Sequence, residues 1–448
     1  MNGLSTASVS PLVGDGSSAS ARSDIERSTM RSVGWRLLPL LMASYFIAYV
    51  DRVNIGIAAL DMKEIGLSDA AFGLGGTMFF IAYALFEIPS NLALQRIGAR
   101  VWIARIMISW GVVGLATCLV SGPGSFYFTR FLLGAAEAGF FPGVILYLTY
   151  WFPPAYRARI IATFMVAIPV SNFLGSPLST LLLELDGLAG LRGWQWVFIG
   201  ESLPAIVLGL LVMLFLTSTP AEAKWLSGPQ RAWLQQELAR EQTQAASAAP
   251  RSNWAIVRDK QVWLLALIYC GSSATSNALS LWQPKILKSF ELSNLETGFL
   301  NMIPFGLAAI FMVLWGRYAD ATRERRWSTA LPLALTSASL VLTITTHSLS
   351  ITLALLSLAL IGNYAIKGPY WALVTETLPP SIVGASIAAI NTLAHVGTGG
   401  TSALIGIIKD ATGSYPLALL PLATLTALGA GVVLWIGRPQ QSEQPPAN

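Results

Sequence analysis

The sequence predicts an all-α membrane protein of twelve transmembrane helices, arranged as two pseudo-symmetric six-helix bundles. Three observations carry that prediction. The 448 residues are 54% hydrophobic and 11% charged, less than half the charge that a water-facing domain carries. Apolar runs of roughly twenty residues, the length that crosses a hydrocarbon core, recur along the chain. The pattern of the first half also returns in the second. A net charge of +5 and a pI near 9.2 raise nucleic acid as a partner, but the basic residues lie in short clusters between apolar runs. No basic domain exists to bind it, so no nucleic acid is expected.

Six apolar runs fall at 36–57, 70–94, 101–121, 124–151, 158–184 and 195–217, and six more at 261–284, 295–318, 327–347, 350–376, 382–408 and 413–437. They divide the chain into an N-terminal bundle (36–217), a polar linker (218–260) and a C-terminal bundle (261–437), flanked by tails over 1–35 and 438–448. The first tail is rich in Ser, Ala, Gly and Arg and lacks the apolar core of a signal peptide. It reads as disordered, and the first helix as retained. In the linker, Gly228-Pro229 is a turn signal followed by strong helix formers, which predicts a short amphipathic helix on the membrane surface. Cys118 and Cys270 both sit in apolar segments, so neither a disulfide framework nor a metal cluster is expected.

Lys and Arg set the orientation. Arg22, Arg27, Arg31 and Arg36 precede the first segment; Arg96 and Arg100 follow the second, Arg157 and Arg159 the fourth, and Arg317, Arg323, Arg325 and Arg326 the eighth. The linker adds Lys224, Arg231, Arg240, Arg251 and Arg258 on the same side. Both termini and the linker are therefore expected in the cytoplasm.

The repeat can be read directly. "NLALQRIGAR" (91–100) follows the second segment as "GRYADATRER" (316–325) follows the eighth, an offset of 225. "FPPAYRARIIA" (152–162) follows the fourth as "LPPSIVGASIA" (378–388) follows the tenth, an offset of 226. Near-equal offsets at two places imply equivalent halves with parallel topology, which puts a ligand site near the midplane between them.

These loops resemble the major facilitator superfamily signature Gly-x-x-x-Asp-Arg-x-Gly-Arg. Gly316 and Asp320 fit it in the second half, where Arg317 belongs to the same gating loop; the first half is degenerate, with Asn91 and Gln95 at its Gly and Asp positions and Arg96, Gly98 and Arg100 as the loop's gating candidates. The stretches "YVDRVNIGIA", "YALFEIPSNLALQRIGAR", "RFLLGAAEAGFFPGVILYLTYWFPPAYRAR", "GWQWVFIGESLPA" and "GPYWALVTETLP" look like the anion:cation symporter branch, which includes tartrate, phthalate, galactonate and hexuronate carriers. The resemblance implies that Asp51 and Glu137 are proton-coupling positions and that Arg52 and Arg130 bind or gate for an anion. It also implies a monomer in the bacterial inner membrane.

The residues support a reading of their own. An ionisable group at the centre of a membrane helix costs about 2.5–3.5 kcal/mol, so Asp51 and Arg52 are expected to line a polar cavity rather than lipid. Neighbours on a helix point about 100° apart and serve different directions. Tyr45, Tyr49 and Arg52 share one stripe, which assigns Tyr49 and Arg52 to substrate and Asp51 to protonation; the alternative is a pair that locks the first helix to its neighbours. Arg130 and Glu137 are seven residues apart with Gly134 between them, about 10 Å along one face. Glu137 is read as the second proton carrier and Arg130 as a cation beside it; a purely structural hydrogen bond is the alternative for Glu137.

Applying the offset of 226 sets Asn277 opposite Asp51 and Asn363 opposite Glu137. Amides cannot titrate but do hydrogen-bond, so the first half is expected to handle protons and the second to read substrate polarity. Asn363, Lys367 and Trp371 fall on one helical face, with a break expected at Gly368-Pro369. Lys367 either meets an anion or snorkels or pairs with a carboxyl. Arg52 and Lys367 from opposite halves would clamp two carboxylates of one molecule. Tyr83, Tyr370, Trp371 and Trp282 would suit a ring, although Trp also anchors helices at membrane interfaces. Asn391 and His395 lie one turn apart; His395 is a substrate contact or a proton relay, and no second His or Cys stands at metal-ligand spacing. Glu87, Glu201 and Glu376 are read as structural or gate residues near helix ends.

The expectation is a proton-coupled symporter that imports a small organic anion, preferably a dicarboxylate such as tartrate or phthalate, by alternating access. A sugar-acid symporter and a carrier without proton coupling stay open. Protons are the coupling ion, no other cofactor is expected, and the partners are the anion and the lipid bilayer. Only His347 and His395 are available as histidines, which leaves no catalytic constellation for an enzyme. The linker is too short for a signalling domain.

Overall fold

The computed structural model describes residues 15–246, 258–378 and 383–436, and the described residues contain helices and no strands. The N-terminal bundle consists of α1 (Asp15–Ala58), α2 (Asp69–Ile97), α3 (Ala99–Ala116), α4 (Pro123–Glu137), α5 (Phe140–Thr149), α6 (Pro154–Met165), α7 (Ala167–Leu183) and α8 (Gly193–Phe215). The linker holds α9 (Gly228–Ala246). The C-terminal bundle follows with α10 (Lys260–Lys288), α11 (Asn294–Thr322), α12 (Arg325–Leu342), α13 (Leu349–Ala365), α14 (Lys367–Thr377), α15 (Val383–Thr412), α16 (Tyr415–Ala418) and α17 (Leu420–Ile436). The pairs α4–α5, α6–α7, α13–α14 and α16–α17 are interrupted spans. Among the described residues, 11 helical runs are long and apolar enough to cross a membrane. The remaining span, α15, has 30 residues, but Asn391, His395 and a series of Gly and Thr lower its hydropathy. That composition suits its position against the other half of the molecule.

Two sequence expectations are corrected. Residues 15–35, expected within a disordered tail, are helical and continuous with the first span. Met30 and Val33 are buried in the N-terminal core, the Tyr156 hydroxyl donates to Glu26 at 2.8 Å, and Gln230 donates to Ser28 at 3.2 Å. These tertiary contacts hold a segment whose composition alone argues for disorder. The linker helix α9, expected on the membrane surface, instead packs on the N-terminal bundle: Leu234 is fully buried, and Arg157 clamps the Glu241 carboxylate through two nitrogens. Residues 1–14, 247–257, 379–382 and 437–448, including the expected C-terminal tail, lie outside the described residues.

The two loop motifs occupy equivalent corners. Between α2 and α3 the chain turns at Gly98, whose φ of 99° is readily adopted only by glycine; Arg96 and Arg100 are exposed beside it. In the second half Gly316 and Arg317 lie within α11, and Arg325 joins Asp320 and Glu376 at 3.0 Å each.

The fourth and tenth spans break at corresponding depths, as the repeat requires. Glu137 ends α4 ahead of Gly139, which is left-handed with φ 86°. In the second half the break falls at Ile366, slightly before the expected Gly368-Pro369. Proline removes a hydrogen-bond donor and disturbs the turn that precedes it, so the interruption appears upstream of Pro369.

The halves meet along α2, α7, α10, α11 and α15. Lys285 on α10 pairs with Asp69 on α2 at 2.7 Å, and the Asp410 carboxylate accepts the backbone N–H groups of Asp69 and Ala70 at 3.2 and 2.8 Å. Deeper along the same helices, Thr77 donates to the Gly399 carbonyl at 2.8 Å, Ser280 to Asn172 at 2.9 Å, and Asn301 to Ser176. Every one of these links lies on the side of the molecule opposite α9. The hydrogen bonds between halves that lie nearest the α9 side are those of Glu87 with Asn391 and Thr392, both 3.1 Å.

Candidate functional site

A cavity of about 60 Å³ lies between the halves at mid-depth. That is room for about two waters, so the halves are drawn together around it. From the N-terminal half, α1 supplies Tyr45, Tyr49 and Arg52, and α2 supplies Tyr83. From the other, α10 gives Tyr269, Ser276 and Asn277, Lys367 opens α14, and α15 gives Asn391 and His395.

Arg52 is the centre of the N-terminal side. Its Nε donates to Glu137 Oε2 at 2.9 Å, and its guanidinium lies 5.2 Å from the ring centres of Tyr49 and Tyr83 and 5.7 Å from that of Phe79. Such distances are within cation–π range. Glu137 Oε1 has no partner among the described residues. Arg130 does not pair with Glu137; its guanidinium stacks on Phe79 at 4.8 Å. Gly134 between them brings α4 against α2, because a Cβ there would strike the Phe79 carbonyl.

Asp51 does not line the cavity, contrary to expectation. It points the other way, toward Gly114 on α3, and accepts from Asn54 at 2.9 Å while its Oδ2 has no partner among the described residues. This follows from the 100° step between neighbours: Arg52 takes the cavity, so Asp51 turns into the bundle core. Glu201 is nearby, accepting from Ser179 at 2.6 Å. Glu201 stands in the interior of α8 and Glu87 in the interior of α2, so reading them as helix-end residues is corrected; Glu376, by contrast, does lie at the end of α14.

On the C-terminal side, Lys367 donates to Ser272 at 3.1 Å and lies 5.3 and 5.9 Å from the rings of Tyr269 and Tyr364. No carboxylate among the described residues pairs with it. Asn277 faces the cavity while its Nδ2 donates to the Ser273 carbonyl at 2.8 Å. Asn363 is fully buried behind the wall, donating to Ser276 at 2.6 Å. Tyr370 and Trp371 are not in the cavity: the Tyr370 hydroxyl donates to the Leu265 carbonyl at 2.9 Å, and both rings pack on Tyr269. The break at Ile366 interrupts the stripe that would have aligned Trp371 with Lys367. Trp282 is likewise distant, packed edge-on against Phe72.

A membrane-spanning bundle pair with a polar cavity at its seam points to transport, and comparison decides the family. Residues 41–402 match the Major Facilitator Superfamily profile. The chain belongs to that superfamily. A protein of Agrobacterium vitis named "Putative tartrate transporter" is 45% identical over 417 residues, covering 93% of this chain and 96% of its own. The "Quinolone resistance transporter" of Acinetobacter baumannii is 37% identical, covering 91% and 94%. Among solved structures, the E. coli xylose transporter XylE in a partially occluded inward-open conformation superposes with a TM-score of 0.73 at 13% identity, over 91% of this chain and 98% of that one. The molecule is therefore a multi-pass membrane transporter for a small organic substrate, and not an enzyme.

The transporter's site includes three groups that the sequence reading passed over, Tyr269, Tyr364 and Ser276, which line it; Glu87, read as a structural or gate residue, holds Asn391. Glu87 carried a usable signal, since a carboxyl inside an apolar run is costly unless it does something. The serine and tyrosines carried none, because such residues are common in any membrane helix.

Proposed function

We propose that this transporter is a proton-coupled symporter that imports a small organic anion, with a dicarboxylate such as tartrate preferred. One observation carries the anion reading: Lys367 is a buried cation at a cavity wall, and no carboxylate among the described residues pairs with it. A buried charge wants a counter-charge, and a substrate carboxylate supplies one. Arg52 faces the same cavity from the opposite half, so a molecule with two carboxylates can join the halves. The 45% identity to a protein named for tartrate supports that choice.

Coupling follows from the Arg52–Glu137 pair. While Glu137 is ionised it holds Arg52; when it takes a proton the guanidinium is released to bind the anion. Asp51, in the core behind Arg52, is the second proton carrier. Two protons with a dianion make the cycle electroneutral. With substrate and protons aboard, the halves rock about the central site. We place the chain as a monomer in the bacterial inner membrane, with the linker and both termini cytoplasmic. A sugar acid is the alternative substrate, favoured by the tyrosine rings and hydroxyls around the cavity.

The test is uptake of labelled tartrate by proteoliposomes, competed in turn with phthalate, galactonate, glucuronate and 4-hydroxybenzoate. Tartrate uptake competed best by phthalate supports the dicarboxylate reading. Absence of tartrate uptake alongside galactonate transport would replace it with the sugar-acid one.

A further inference from the structure

On the α9 side of the cavity, a chain of three polar side chains crosses between the halves. Both oxygens of Glu87 on α2 act as acceptors: Oε1 from Asn391 Nδ2 and Oε2 from Thr392 Oγ1, each at 3.1 Å. Glu87 is 5% exposed. The same Asn391 Nδ2 stands 3.3 Å from His395 Nε2, while His395 Nδ1 is buried and has no partner among the described residues. The imidazole packs against Phe80 and Tyr83 of α2, with ring centres 6.0 and 4.7 Å away.

We propose that Glu87 is a positioning residue which fixes the amide of Asn391 and, through it, the tautomer of His395, leaving the His395 Nδ1–H as an unspent donor for a substrate carboxylate. A carboxylate can only accept, so it must face the NH₂ end of the amide and not its oxygen. That NH₂ has two hydrogens. One goes to Glu87 and the other to His395 Nε2, which must then be the lone-pair nitrogen of a neutral ring. Its proton sits on Nδ1. In water a neutral imidazole favours the opposite tautomer, so the preference has to be imposed by neighbours. A donor left unsatisfied in a buried wall is costly unless a ligand meets it, and the cavity beside it is where the anion binds. The donor is set only when α2 and α15 approach, since Glu87 and Asn391 belong to opposite halves.

The inference rests on the anion-carrier reading for the ligand, but its first readout does not. The chain contains two histidines, His347 and His395, so ¹⁵N-histidine labelling of the full-length protein in lipid nanodiscs gives two imidazoles, and His347→Gln assigns them. The expected result is His395 protonated at Nδ1 in the wild type. Glu87→Gln, whose amide can present a donor to Asn391, is expected to shift the ring toward the Nε2–H form and to weaken tartrate binding about tenfold, the loss of one hydrogen bond to a charged group. Glu87→Asp is expected to restore the wild-type tautomer. Thr392→Val, which removes the other donor to Glu87, is expected to leave it unchanged. A wild-type Nε2–H tautomer, or a Glu87→Gln protein with unaltered tautomer and affinity, overturns the proposal. Failure of the anion reading would show separately, as the expected tautomer with no shift of the His395 resonances on adding tartrate.

Discussion

At the scale of single residues, the Arg52–Glu137 pair carries the account. The two groups are 2.9 Å apart with side-chain exposures of 16% and 2%, and stripping one partner from such a pair costs about 3–5 kcal/mol because the other charge is stranded. Glu137→Ala should therefore lower thermal stability clearly, whereas Glu137→Gln keeps an acceptor for Arg52 and removes the titratable proton. In proteoliposomes Glu137→Gln and Asp51→Asn are each expected to abolish tartrate accumulation driven by a pH gradient while tartrate exchange continues. Undiminished accumulation in either variant would take that residue out of the proton path. Lys367→Gln is expected to raise the tartrate Kd at least tenfold by calorimetry, as the loss of a charge-assisted hydrogen bond of about 1.5–3 kcal/mol implies. Asn277→Ala should weaken binding and preserve the proton-to-substrate ratio. Ionisable residues in apolar runs were legible because their cost demands a purpose. Which way each one points was not, and Asp51 turning from the cavity is the case in point.

Helices carry the next level. The N-terminus of α2 is held by Asp410 from the other half, and removing such a carboxylate cap costs on the order of 1 kcal/mol, a several-fold shift in a two-state equilibrium. Asp410→Ala is thus expected to speed labelling of an Asn277→Cys reporter, made in a Cys118→Ser, Cys270→Ser background, by an impermeant thiol reagent from the face opposite α9. An unchanged labelling rate would mean that this latch does not govern access. Gly139→Ala should lower the melting temperature, since a non-glycine residue at φ 86° is strained by about 1–2 kcal/mol. Helix positions were largely visible in the apolar runs, whereas the extension of α1 back to Asp15 and the docking of α9 were not. Both depend on contacts between distant segments, such as Glu26 with Tyr156 and Glu241 with Arg157, which local composition does not encode. The break in the tenth span was anticipated from Pro369 but misplaced by a few residues, and that shift moved Trp371 off the site.

For the whole molecule, the offset of 226 residues between the halves predicted their equivalence, and the matching breaks after Glu137 and near Asn363 display it. The contacts between halves are concentrated opposite α9, which leaves the α9 side as the one that parts most readily. A transporter closed in this way takes substrate from the far side only after that latch opens, and in the proposed symport the energy for accumulation comes from the proton gradient. The decisive measurement places the purified protein in liposomes containing a pH dye and adds tartrate outside. The account predicts internal acidification that requires the protein and disappears in Glu137→Gln. Labelled tartrate exchanging across the membrane with no acidification would contradict proton coupling and leave a carrier in which Arg52 and Glu137 only bind and gate.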